Sequence, residues 1–167
     1  MKRILLAIGV LTLLLTSVGS GICEVTGSPS DRAVLKAVVH SAAAGLGAVA
    51  VNKDGTYHAT MINEYVNAVR FFDDRTGYFF VFDYKNNVSI AHATLKDFPG
   101  KDKTNYKDSR GTFVIQELSK IAKSSSGSGF LLYYWENPET KKEEKKLSYV
   151  EIIPGTKLYI GAGIYVR

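Results

Sequence analysis

The chain has 167 residues, 46% of them hydrophobic and 22% charged, with a formal net charge of +5. That length suits one domain with its own core, and nucleic-acid binding is not expected, because such proteins concentrate their cations in a stripe with a matching motif. A single cysteine, and histidines at 40, 58 and 92 without ligand spacing, argue against a zinc centre and covalent haem.

Lys2 and Arg3 precede an uncharged run from Ile4 to Val18, and Gly19, Ser20 and Gly21 follow it. This is the plan of a secretory signal, so residues 1–22 read as a cleaved leader and the product as periplasmic or otherwise extracytoplasmic. The run is shorter than the ~20 residues that span a bilayer, so no transmembrane segment is expected after cleavage. Cys23 has Ile22 before it, where a lipoprotein signal places a small residue, which argues against a lipid anchor. Without Lys2 and Arg3 there remain 19 basic against 16 acidic residues, a net +3.

Residues 28–51 open with Ser28, Ser30 or Asp31 as N-cap, and Leu35, Val38, Val39, Ala42 and Leu46 recur at helical spacing. A long amphipathic helix is predicted, ending at Lys53-Asp54-Gly55. A shorter one follows over 59–72, with Met61, Tyr65, Val66 and Val69 on one face. From Gly77 the period changes to two: Tyr78, Phe80 and Phe82 share one strand face and Phe79, Val81 and Asp83 the other. The turn "YKNN" leads into a second strand over 88–93. Residues 94–110 read as a polar connection into a helix capped by Asp108, Ser109 or Thr112 and lined by Val114, Ile115, Leu118 and Ile121. "FLLYYWEN" and "KLSYVEII" form a second hairpin, with "KKEEKK" at 141–146 as its solvated tip. "KLYIGAGIYV" is the last strand, in which Gly161 and Gly163 permit close packing or a bulge.

This order predicts an α+β fold, with a long N-terminal helix on one face of a mainly antiparallel sheet of about five strands. The other face is expected to be covered by residues 94–123, with room for a pocket beneath. No Gly-x-Ser-x-Gly elbow or His-Glu-x-x-His pair is present, and an enzyme is not expected. An aromatic-rich sheet with few polar groups matches a small-ligand pocket. Its candidate walls are Tyr78, Phe80, Phe82, Tyr133 and Trp135, and its polar groups His92, Lys146 and the tyrosine hydroxyls. A lysine with two or three donors neutralises and hydrogen-bonds a carboxylate. No metal or cofactor is expected. If His92 bound in its charged form, affinity would fall above about pH 6.5.

The blocks "RFFDDRTGYFFVFDYKNNVSIAHA", "GKD" and "GFLLYYWENPETKKEEKKLSYVEIIPGTKLYIGAGIYV" resemble the single Cache domain family, small PAS-like extracytoplasmic sensors, over nearly all of residues 28–167. The matching positions are Gly77, Tyr78 and Phe79, then His92, then Tyr133, Trp135 and Pro138, then Lys146, Ser148, Tyr149 and Val150. The resemblance implies a PAS-like Cache fold whose sheet binds a short organic acid, with Tyr78, Phe80, Phe82, His92, Tyr133, Trp135, Lys146 and Tyr149 at the site. Ala93 stands where proline is usual, which removes a rigid turn beside the His92 imidazole, and Phe82 stands where many relatives are polar, which implies a smaller cavity suited to acetate or propionate. With Arg167 directly after the last strand, a stand-alone binder without its own signalling module is expected, presenting its ligand to a membrane receptor or kinase. The alternative is a ligand-free interaction module docking onto such a receptor or kinase through the long helix.

Overall fold

The computed structural model describes residues 28–72 and 74–166. The leader over 1–22 and Cys23 lie outside the described residues. Helix α1, Pro29–Val49, starts at Ser28, whose hydroxyl accepts from the Asp31 amide while the Asp31 carboxylate accepts from the Ser28 amide. This reciprocal box, with Pro29 in the first turn, satisfies two otherwise unpaired donors. Its apolar length would also suit a membrane span, but Leu35, Val39, Ala42, Ala43 and Leu46 are buried and the helix packs on the sheet. Each such leucine stabilises the fold by about 1.5–3 kcal/mol on burial.

Helix α2 covers Ala59–Ala68. It ends before the predicted residue 72, because the chain turns extended at Val69 and Phe71 bridges to Gly77. Ile62 and Val66 are its buried positions, whereas Met61, expected on the inner face, is 42% exposed. Tyr65, Val66 and Val69 pack on the core as expected, and Ile62 takes the place expected of Met61.

Five strands follow: β1 Phe79–Asp83, β2 Ser89–His92, β3 Ser128–Glu136, β4 Glu143–Ile152 and β5 Leu158–Tyr165, with α3 (Val114–Ala122) between β2 and β3. They form one antiparallel sheet in the order β2-β1-β5-β4-β3. The β1–β2 turn closes through Asn87 at φ 59, a left-handed conformation that asparagine tolerates. Glu143 to Lys146 belong to β4, so the predicted charged tip is mostly strand and the turn falls before it. No side chain caps α3; Asp108 instead accepts from the amides of Arg110, Thr112 and Tyr134, pinning the loop to the edge of β3.

Pairing through Gly161 and Gly163 is unbroken, so neither marks a bulge. The irregularity lies between Val81 and Phe82. The glycines serve close packing: a Cβ on Gly161 would sit 2.5 Å from the Phe80 ring, and one on Gly163 would meet Ser148 Oγ and lie 2.5 Å from Lys146 Cε. Helices α1 and α2 cover one face of the sheet, and residues 94–122 with α3 cover the other.

Candidate functional site

Directly paired residues of adjacent strands share a face. Phe80 pairs with His92 and with Gly161, Phe82 with Tyr159, Tyr133 with Lys146, and Lys146 with Tyr165. The period of two then brings Tyr78, Phe80, Phe82, His92, Tyr133, Trp135 and Lys146 onto the face beneath the 94–122 cover. All seven are buried.

Tyr149 does not join them. It lies three positions from Lys146 on β4 and therefore faces the other way, its ring 4.7 Å from Phe130, over which Arg32 of α1 is placed. The motif suggested a ligand contact; strand alternation makes Tyr149 part of the helix-side core.

Lys146 is fully buried, and its Nζ has no hydrogen-bond partner among the described residues. Its side chain crosses the space left by Gly163 and ends 3.9 Å from the centroid of the Tyr78 ring, 5.1 Å from that of Tyr165 and 6.0 Å from that of Phe80. Burial lowers its pKa, and the neighbouring Tyr78 opposes that shift. An aromatic cage returns about 2 kcal/mol to a desolvated cation, less than the several kcal/mol that burying an unpaired charge costs. The rings, with Tyr78 foremost, offset only part of the cost of burying the ammonium.

His92 is the second polar group. Its Nδ1 accepts from the Leu95 amide at 3.1 Å, with Thr94 nearby, so the proton of the neutral ring resides on Nε2. Burial, then the charges of Lys146, Lys96, Arg70 and Lys103, hold its pKa well below the usual imidazole value. The charged form considered from sequence is therefore absent at neutral pH, and His92 offers a neutral N–H donor. Tyr133 bonds Ser148 at 2.9 Å, and its phenol is held well above its ordinary pKa by burial, so it stays protonated.

The sequence missed Phe98 and Tyr106, which close the site from above. Phe98 lies 5.3 Å from His92 and 6.2 Å from Trp135, and Tyr106 4.9 Å from Trp135. Two rings in an otherwise polar run were the only signal. Tyr165, likewise missed, links Tyr78 at 3.4 Å to the Glu136 carbonyl, to which it donates at 2.6 Å. Where room for a pocket was expected, these rings pack against His92 and Trp135. Two surface clefts, of about 940 and 640 Å³, lie elsewhere, the first reaching the cluster only at Tyr165.

The model of a family described as "Cache domain" matches residues 52–167. The sensor histidine kinase MctS of Rhizobium johnstonii is 35% identical over 92 residues, which is 55% of this chain; the matched stretch spans 19% of that kinase. The crystal structure of a methyl-accepting chemotaxis protein from Vibrio parahaemolyticus superposes with a TM-score of 0.68 at 28% identity, covering 81% of this chain and 88% of that one. A Cache chemosensory domain solved for its carboxylic acid recognition superposes with a TM-score of 0.64, covering 83% and 92%; at 24% identity it shares the fold.

Proposed function

The chain belongs to the Cache domain family, whose members are extracytoplasmic ligand-sensing modules, and from that premise we propose that it binds a small carboxylate between the sheet and its 94–122 cover. The observation that carries this reading is the buried, unpartnered ammonium of Lys146. A carboxylate would convert a charge only partly offset by Tyr78 and the neighbouring rings into a charge-assisted pair, and the neutral His92 Nε2–H and the Tyr133–Ser148 hydroxyls supply donors beside it. Tyr78, Phe80, Phe82 and Trp135 surround the acid's short tail. Rings packed this closely around His92 and Trp135 favour acids of the size of acetate or propionate. The carboxylic acid binding of one fold neighbour is compatible with this chemistry, but the argument rests on Lys146.

The test is thermal unfolding against acetate, propionate and other short acids, with amines and amino acids alongside. At 100 times its Kd a ligand stabilises the folded state by about 2.7 kcal/mol, several degrees for a domain of this size. Stabilisation by a short acid supports the proposal. No shift across the panel would overturn it in favour of an interaction module, a reading that the ring-filled site favours.

A further inference from the structure

We propose that anions enter the site at Phe98, with Lys103 as the cation that draws them in. This rests on the reading of Lys146 as a carboxylate anchor, but its test does not.

From the surface inward, successive contacts link one column of mutually tilted rings with a lysine at each end. Lys103 Nζ lies 3.9 Å from the Phe98 ring centroid, Phe98 5.3 Å from His92, His92 5.6 Å from Tyr78, and Tyr78 3.9 Å from Lys146 Nζ. A partly exposed cation thus stands at one end and a buried one at the other, with only aromatic rings between. Phe98 lies in a turn outside any helix or strand, its amide bonded to Leu95 and its carbonyl to the Lys101 amide, and the turn is tied to β2 by bonds between Ser89 and both Gly100 and Lys101. Entry at this point therefore requires the Phe98 ring to swing aside while the backbone of the turn stays bonded to β2.

The electrostatics favour this side. The 94–113 segment carries Lys96, Lys101, Lys103, Lys107 and Arg110 against Asp97, Asp102 and Asp108, and Asp108 is consumed by three backbone bonds. Lys96, Arg70 and Lys103 all act on His92 as positive charges. Another approach is the cleft at Tyr165, whose charged lining among the described residues is Asp31, Asp74 and Glu144 against Lys145. That mouth repels an anion.

Trp135 is the single tryptophan and sits 5.9 Å from His92, beside the column. Its fluorescence, quenched by acrylamide, iodide and caesium at constant ionic strength, therefore reports who enters. Removing the plug in Phe98→Ala or the milder Phe98→Leu should raise acrylamide quenching about threefold or more, since the opening no longer depends on local fluctuation. In wild type and in Phe98→Leu, iodide should quench at least about twofold better than caesium. Lys103→Glu should remove that preference and leave acrylamide unchanged, while Lys145→Glu should not alter it. Caesium quenching as well as iodide, unchanged acrylamide quenching in both Phe98 variants, or loss of the iodide preference in Lys145→Glu would each overturn the entrance. No carboxylate is present in this experiment. An iodide preference without stabilisation by acetate or propionate sinks the binding reading alone, and the converse sinks the entrance alone.

Discussion

The Nζ of Lys146 lies over the face of Tyr78, 3.9 Å from its ring centroid, with both residues sealed from solvent and no anion among the described residues bonded to the ammonium. A fold that keeps a charge in this position loses stability for it. That loss and the proposed binding are two sides of one arrangement, and they should separate on mutation.

Lys146→Met is expected to stabilise the protein in the absence of any acid by about 1–4 kcal/mol, the range seen when buried ionic groups give way to well-packed apolar ones. The same substitution should abolish stabilisation by short carboxylates. Denaturant unfolding with and without acetate measures both. A variant less stable than wild type would mean that the lysine is structurally satisfied and the site misread.

His92 gives a pH dependence whose sign follows from its depressed pKa. The unfolded ring protonates near 6.5, the folded one only well below that, so the unfolded state binds more protons between the two values. Stability is therefore fully present above about pH 6.5 and declines as the pH falls through the window below it. His92→Gln should flatten that slope in melting temperatures measured from pH 7 downward. An equal slope in the variant would assign it to other groups.

Gly163→Ala tests how Lys146 is positioned. The added methyl would meet Ser148 Oγ and Lys146 Cε, and overpacking of this kind costs about 1–3 kcal/mol. The lysine must shift with it, so the response to acetate should weaken in the fraction that remains folded. Retained acetate stabilisation would show that the ammonium needs no such passage across β5.

Tyr149→Phe provides the contrast. The side chain faces α1 and packs on Phe130, so carboxylate affinity, measured by calorimetry, should stay within about 0.5 kcal/mol, as expected for a site without shared partners. Tyr133→Phe, which removes the hydroxyl bonded to Ser148, should weaken binding by about 1 kcal/mol. Equal effects of the two substitutions would erase the distinction between the faces.

The sequence by itself determined the elements and most of their faces. Tyr78, Phe80 and Phe82 alternate with Phe79 and Val81, Tyr133 alternates with Tyr134, and a period of two leaves no choice about which residues stand together. Ser28 was one of three N-cap candidates in the sequence, beside Ser30 and Asp31, and the structure selects it with Asp31 as its partner. Only the tertiary structure decided that Lys146 is buried and not solvated, that His92 is neutral, that Tyr149 faces the helix, and that Phe98 and Tyr106 close the site. Periodicity is a local property, whereas desolvation and charge pairing depend on every group that comes near in space. Residues far apart in the chain, such as Phe98, Trp135 and Lys146, acquire their shared environment only when the cover folds onto the sheet.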